Sequence, residues 1–146
     1  MAENANLVRS LLEAFNKRDF DYIRECTAPD SVLTDAGSGQ TWHGPDGGHS
    51  YNTMWTDAFP DGKITIDRIF DSGDLVVVEY TGHGKHTGPM VTRMGTIPAT
   101  GREVTLRFCD VFEVKDGKVK TQTTYGDSGS FMAQLGLTAA QPAATQ

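Results

Sequence analysis

A β-hairpin is predicted by residues 107–119, which read RFCDVFEVKDGKV. Apolar and polar side chains alternate up to Asp116-Gly117, a pair typical of the tight turn between two antiparallel strands. Successive side chains of a strand point to opposite faces, so the residues before this turn divide into two sets. One face then carries Leu106, Phe108, Asp110 and Phe112. That face is apolar except for Asp110, which indicates a core face with one carboxylate in it.

Asp110 is the first candidate for a catalytic group. A carboxylate on a core face is costly unless it is paired, hydrogen-bonded or exposed to a cavity. Burial raises the pKa of a carboxyl group, which suits a general base or acid. The alternative is a structural carboxylate bonded to backbone amides or to an arginine such as Arg102 or Arg107. The pattern therefore predicts a pocket at Asp110.

The composition is that of an ordinary soluble globular protein. The 146 residues are 38% hydrophobic and 22% charged, which suits one domain, assigned here to residues 1–137. The net charge of −6, from 19 acidic and 13 basic residues, argues against a nucleic-acid-binding surface. No apolar run approaches the roughly 20 residues of a membrane span. We expect no membrane partner, and we expect Cys26 and Cys109 to be free thiols in a reducing cytoplasm.

Helices are predicted where apolar residues recur at i, i+3, i+4 and i+7, and strands where they alternate. The predicted helices span residues 6–17, 20–26, 50–59 and 130–135. The predicted strands span residues 31–35, 63–71, 75–81, 102–114 and 118–127, with one more around 90–94 in the long connection 82–101. Asp127 is placed to cap the last helix. Residues 138–146 are expected to form a disordered tail.

Three helices followed by a run of strands is an α+β order. The packing that we expect curls an antiparallel sheet around the N-terminal helices and forms a cone-shaped barrel. The open end of such a cone would bind a small molecule.

Six short segments are weak signals singly but specific in their combined order and spacing. They are NLVRSLLEAFN (6–16), AFPD (58–61), GKHTG (84–88), IPATGR (97–102), DGKV (116–119) and QLG (134–136). Together they resemble the SnoaL-like polyketide cyclases of the nuclear transport factor 2-like and ketosteroid-isomerase-like superfamily. The resemblance covers about residues 6–137 and implies the same cone-shaped fold.

The resemblance also implies chemistry without a cofactor. SnoaL-type cyclases close a ring by intramolecular aldol condensation, in which an aspartate removes a proton alpha to a carbonyl. That aspartate stands in a His-x-Asp pair after the DGK turn, where this chain has Gln122 and Thr124. Neither residue is a base, so the acidic group has in effect moved to Asp110 on the neighbouring strand. The catalytic candidates are therefore Asp110, with Gln122 and Thr124 as its hydrogen-bond partners.

A second set of residues is predicted to line the pocket and bind a hydrophobic substrate. It consists of Phe15, Asp35, Tyr51, Trp55, Tyr80, His86, Met90 and Phe108. Tyr51 and Trp55 lie on the helix that lines the pocket in SnoaL-type cyclases, although core packing also explains their spacing. Asp35 either faces the mouth of the cone or forms an Asx turn. His86 is either at the pocket edge, as its GKHTG segment implies, or a loop histidine bonded to backbone.

The histidines do not predict a metal site. His83 and His86 lie three residues apart, and on an extended chain that spacing points their side chains to opposite faces. No cluster of Asp, Glu and His at ligand spacing accompanies them. We therefore expect neither a metal nor an organic cofactor.

Three functions stay open at this point. The first is a cyclase or isomerase that acts on a polycyclic aromatic polyketide by acid–base chemistry. The second is a hydroxylase of the same family, and the third is a non-catalytic ligand-binding module. The resemblance further implies a homodimer that pairs through the outer face of the sheet, where Arg107, Cys109, Val111 and Glu113 point.

Overall fold

The computed structural model describes residues 2–137. Four helices are present in this range: α1 (Ala2–Lys17), α2 (Phe20–Glu25), α3 (Gly44–Ala58) and α4 (Ser128–Gln134). Eight strands accompany them: β1 (Thr27–Asp35), β2 (Thr41–His43), β3 (Lys63–Ser72), β4 (Leu75–Lys85), β5 (Met90–Thr92), β6 (Gly95–Ile97), β7 (Glu103–Lys115) and β8 (Lys118–Gly126). The tail predicted over 138–146 lies outside the described residues.

Six strands form one curved sheet in the order β2-β1-β8-β7-β4-β3, while β5 and β6 form a separate hairpin. The predicted α+β class is confirmed. One pairing differs from the expected antiparallel sheet, because β1 runs parallel to β8 with Leu33 opposite Gln122. The sheet is therefore mixed. Alternation shows which face a strand buries, but it does not show in which direction the strand pairs with a distant one.

The hairpin of β7 and β8 forms around the predicted turn. Asp116 and Gly117 both have positive φ, of 53° and 74°. Two such residues in succession are the requirement of a type I′ turn, whose twist matches that of the strands, and glycine adopts this conformation at no steric cost. The register places Asp110 opposite Thr124 and Phe112 opposite Gln122. The hairpin thus brings the three catalytic candidates to one place on the inner face.

The N-terminal helix closes one side of the sheet. Val8, Leu11 and Leu12 of α1 are buried in one cluster with Val76 and Phe112 of the inner face. Burying each such aliphatic side chain contributes about 1.5–3 kcal/mol. A second cluster joins the end of α3 to β5, β7 and α4. The core therefore has two parts that lie on either side of the candidate pocket.

The region around α3 differs most from expectation. The helix begins at Gly44, not at residue 50, and the short strand β2 precedes it. Gly47 and Gly48 are poor helix formers, which explains why propensity places the start too late. Gly47 is required by close packing, because a Cβ there would lie 2.9 Å from the carbonyl carbon of Trp42. The start of helix α3 therefore depends on its packing against strand β2, which forms only in the folded chain.

In the range 2–137, no helix combines the length and apolar character of a membrane span.

Candidate active site

A cavity of about 140 Å³ lies between α1, α3 and the inner face of the sheet. Six predicted site residues line it: Phe15, Tyr51, Trp55, Tyr80, Phe108 and Gln122. The other five lie outside its wall: Asp35, His86, Met90, Asp110 and Thr124. Two of these five lie directly behind the wall. Asp110 is hydrogen-bonded to Tyr80 and Gln122 of the wall, and Thr124 lies opposite Asp110 on the neighbouring strand.

Asp110 is the centre of a buried hydrogen-bond cluster. The residue is 0% exposed. Its Oδ2 accepts a hydrogen bond from the Tyr80 hydroxyl at 3.0 Å and another from Gln122 Nε2 at 3.0 Å. Its Oδ1 is buried and has no hydrogen-bond partner among the described residues. One carboxylate oxygen is therefore held in place, and the other is free to take a proton.

Burial raises the pKa of Asp110 from 3.8 to about 6. The nearby Thr124 hydroxyl and the hydrogen bonds from Gln122 and Tyr80 act in the opposite direction, because they favour the charged form. Thr124 lies directly across the strand pair from Asp110, and its hydroxyl is close enough to favour the charge. That hydroxyl nevertheless makes no hydrogen bond of ordinary geometry within residues 2–137. The pKa of Asp110, about 6, therefore lies near neutral pH, the range that suits a general acid or base.

Two tyrosines beside the carboxylate remain protonated. Burial raises the pKa of Tyr51 above its usual value, and the negative charge of Asp110 raises it further. The pKa of Tyr80 is raised for the same two reasons. Both phenols line the cavity. They can therefore donate hydrogen bonds but cannot act as bases near neutral pH.

Aromatic rings form much of the cavity wall. Tyr80 and Phe108 stack with their ring centroids 5.1 Å apart and their planes 19° apart. The Trp55 ring meets Phe108 edge-on at 5.8 Å, and Tyr51 meets Trp42 edge-on at 4.9 Å. The stripe of α3 therefore both packs the core and faces the cavity, so the two interpretations of Tyr51 and Trp55 are compatible. Such a wall suits a flat, apolar ligand.

Asp35 forms an Asx turn and does not reach the cavity. Its Oδ1 accepts from the Gly37 backbone N–H at 3.3 Å, and its Oδ2 accepts from the Ser38 hydroxyl at 2.8 Å. These local contacts hold the loop that follows β1. Asp127 caps α4 as predicted, because its side chain accepts from the Ser130 N–H at 3.0 Å.

His86 is a core residue and not a pocket-edge residue. It is 0% exposed, and its ring stacks on Phe59 at 5.2 Å with the planes 29° apart. Its Nδ1 accepts from the Thr100 N–H at 3.2 Å, so Nε2 carries the proton of the neutral ring. Met90 is likewise buried, in the cluster at the end of α3. In the part of the chain that the structure describes, no group of three His, Cys, Asp or Glu side chains could hold a metal.

Sequence reasoning missed five polar or charged residues of the cavity wall: Thr27, Ser31, Asn52, Lys63 and His83. Asn52 precedes Trp55 by one helical turn, so helical spacing could have shown that both face the same way. Ser31 has no comparable signal. It lies where the pairing of β1 with β8 shifts register, between Thr27 and Val32, and alternation does not reveal such a shift.

Comparison with known proteins agrees with the fold. The family model for the SnoaL-like polyketide cyclase matches residues 5–135. The structure of IdmH, a candidate polyketide cyclase from Streptomyces antibioticus, is 29% identical, with 91% of this chain and 98% of that one covered and a TM-score of 0.75. No curated protein matches the sequence significantly.

Two further structures share the fold at lower identity. A candidate SnoaL-like polyketide cyclase from Jannaschia sp. CCS1 is 21% identical, with 94% of each chain covered and a TM-score of 0.83. AclR, a candidate hydroxylase from Streptomyces galilaeus, is 24% identical, with 98% of this chain and 87% of that one covered and a TM-score of 0.79. On the match over residues 5–135, the chain belongs to the SnoaL-like polyketide cyclase family.

Proposed function

We propose that this protein is a cofactor-independent enzyme that modifies an aromatic polyketide by cyclase- or isomerase-type acid–base chemistry, with ring closure by intramolecular aldol condensation as the leading reaction. One observation carries the proposal. Asp110 is a buried carboxyl group with a pKa of about 6, whose Oδ2 is held by two side chains of an apolar cavity and whose Oδ1 has no hydrogen-bond partner within residues 2–137. A purely structural carboxylate would be expected to have both oxygens satisfied.

The proposed step is a proton transfer to Asp110. Oδ1 removes a proton from the carbon alpha to a substrate carbonyl, the C–H electron pair passes into the enolate, and the carboxyl group becomes neutral. The enolate carbon then attacks a second carbonyl of the same molecule, and the proton is returned to the resulting alkoxide. Atoms and charge balance without a co-reactant.

Neighbouring groups would stabilise the enolate. The protonated phenol of Tyr51 lines the cavity and can donate to the developing oxyanion. Tyr80 and Gln122 hold Oδ2, which keeps Oδ1 as the oxygen that reacts. Because Asp110 is fully buried, the proposal requires a local opening of the cavity wall when substrate binds, with the hydrogen bonds from Tyr80 and Gln122 to Oδ2 kept.

The cavity volume limits how the substrate lies. At about 140 Å³ it is close to an engineered protein cavity of about 150 Å³ that holds one benzene molecule. A polycyclic substrate would therefore place one terminal ring at the Asp110 cluster. Its other rings would extend along the wall, with local widening of the cavity.

The experiment is a mass-spectrometric turnover assay on tricyclic anthraquinone esters, run in air and without oxygen. Wild type is compared with Asp110→Asn. A product of unchanged mass, formed in both atmospheres and lost in the variant, is expected. A product heavier by one oxygen and formed only in air would indicate a hydroxylase instead. Ligand binding without turnover in either protein would indicate a binding module.

We also propose that the protein is a cytoplasmic homodimer that pairs through the outer face of the sheet. Val77, Val111 and Thr123 lie in register across three strands there, and Leu75 and Tyr125 beside them are 47% and 51% exposed. In sedimentation experiments, wild type should have double the mass of a 15.9 kDa chain.

Val111→Asp should then sediment as a monomer, since it places a charge in the middle of the face. Val91→Asp, on the exposed β5, is the matched control and should stay dimeric. A monomeric wild type would refute the pairing.

A further inference from the structure

Strand β4 changes character along its inward-facing side. Its inward positions are Val76, Val78 and Tyr80, all buried, and then Gly82 and Gly84. Both glycines line the cavity. Glycine in the interior of a strand is destabilising, because it loses more backbone entropy on folding than other residues and packs no side chain. Each of the two glycines therefore calls for a structural explanation.

Packing explains Gly84. A Cβ at Gly84 would lie 3.0 Å from the Cα of Gly62 and 3.1 Å from Oδ1 of Asp61. The turn that precedes β3 therefore approaches the β4 backbone too closely for any side chain at this position.

Packing does not explain Gly82. A Cβ there would meet only side-chain carbons within 4 Å, Phe108 Cε2 at 3.5 Å and Ile64 Cγ2 at 3.6 Å, which are ordinary contacts. Its backbone conformation is also open to other residues, because its φ lies outside the range that favours glycine. The fold thus has room for a Cβ at Gly82, and what glycine preserves is space in the cavity.

The position of that space relates it to the Asp110 cluster. Gly82 is the next inward residue beyond Tyr80, whose hydroxyl bonds Asp110. The ring edges of Phe108 and the Ile64 side chain bound the space, and both line the cavity. A ligand with one ring beside Tyr80 can extend along β4 only across Gly82.

We propose that Gly82 is a specificity-determining position, which accommodates the second ring of a planar fused-ring substrate. The inference rests on the proposed function for the substrate class. Beyond that function, it assigns to Gly82 the limit on how many fused rings the cavity accepts. A side chain at this position would leave room for a single-ring ligand and would exclude larger ones.

The test measures binding and not turnover, with phenol, 2-naphthol and 1-hydroxyanthraquinone as one-, two- and three-ring probes. Quenching of tryptophan fluorescence reports binding, because Trp55 lines the cavity. Wild type is compared with Gly82→Ala and Gly82→Leu. Val91→Leu, on the exposed strand β5 and outside the cavity wall, is the matched control. Thermal unfolding checks that each variant folds. If Gly82→Leu does not fold, the comparison of wild type with Gly82→Ala decides the test.

Affinity for phenol is expected to change less than about twofold in all proteins, while Gly82→Leu weakens binding of the two larger probes by about tenfold or more. Gly82→Ala should show a smaller loss in the same order, and Val91→Leu should show none. Equal affinities in all variants, or an equal loss for all three probes, would overturn the inference and leave the proposed function intact. A wild type that binds neither larger probe would overturn the proposed substrate class and this inference together.

Discussion

Tyr80 donates its phenolic hydrogen to Oδ2 of Asp110 over 3.0 Å, which joins β4 to β7 inside the cavity wall. The two residues are 30 positions apart in sequence and are diagonal neighbours on adjacent strands, since Tyr80 pairs with Phe108 and Val78 with Asp110. The bond satisfies the phenol and occupies one carboxylate oxygen. It therefore connects the aromatic wall to the proposed base.

Asp110→Asn should raise stability at pH 8 while abolishing turnover. The folded pKa of Asp110 is raised from 3.8 to about 6, so its contribution to stability is present below pH 4 and is lost as pH rises through about 6. Two pKa units correspond to a cost of about 3 kcal/mol at pH 8. The free energy of unfolding, measured in urea at pH 8 and pH 4.5, should favour the variant by about 1–3 kcal/mol at pH 8 and by less at pH 4.5. A variant that is less stable at pH 8 would show that the charge is structural.

Replacing Gln122 with Leu should shift the pH dependence of turnover. Hydrogen bonding from Gln122 lowers the pKa of Asp110, so its loss raises that pKa above the present value of about 6. The acidic limb of the kcat/KM profile reports the free enzyme's base and should move to higher pH. Thr121→Ala, next to it but on the outward side of β8, should leave the limb in place. An unshifted limb in Gln122→Leu would mean that another group titrates.

Tyr80→Phe should destabilise the protein more at pH 8 than at pH 4.5. It removes a hydrogen bond from a buried charged oxygen, a loss of about 1–3 kcal/mol, and a protonated carboxyl group is less sensitive to that loss. Urea unfolding of Tyr80→Phe, Asp110→Asn and the double variant forms a thermodynamic cycle. We expect a coupling of about 0.5–3 kcal/mol at pH 8. Additive effects of the two changes would contradict the interaction.

His86 should make the fold sensitive to acid. Burial lowers the pKa of His86 from 6.5, and its Nδ1 already accepts the Thr100 N–H, so a proton there would displace that bond. The unfolded chain binds the proton more readily, and stability from this residue is therefore lost as pH falls through 6.5. Asp110 acts in the opposite direction in the same range, so the informative quantity is a difference between variants.

His86→Phe keeps an aromatic ring against Phe59 and removes the titrating group. The midpoint of urea unfolding, followed from pH 7.5 to pH 5, should fall less steeply in His86→Phe than in wild type. Parallel pH dependence in the two proteins would show that His86 does not titrate on unfolding.

Local patterns predicted the elements that depend on near neighbours. The hairpin over residues 107–119 and the amphipathic α1 follow from alternation and helical spacing, because each of these signals is set by residues close in sequence. The start of α3 was misplaced because its glycines oppose helix formation, and only packing against Trp42 offsets them.

The candidate site shows the same division. Alternation alone predicts Asp110 on an apolar face, and the hairpin predicts that Gln122 and Thr124 lie on the neighbouring strand. That Thr124 lies opposite Asp110 depends on the register shift between Glu113 and Val114, which the sequence does not reveal. The same reasoning ranks Asp110 first but leaves Asp35 open between the mouth of the cone and an Asx turn. Asp35 is bonded by Gly37 and Ser38 of its own loop, whereas one oxygen of Asp110 is held by side chains from the two neighbouring strands.

The class of the fold, the strand that carries the buried carboxylate and the family all follow from the amino-acid sequence. The parallel pairing of β1 with β8, the burial of His86 behind Phe59 and the bond from Tyr80 to Asp110 follow only from the folded chain. The physical reason is range. Periodicity and turn chemistry act between neighbours along the chain, while burial and hydrogen-bond satisfaction depend on which distant segments the folded sheet brings together.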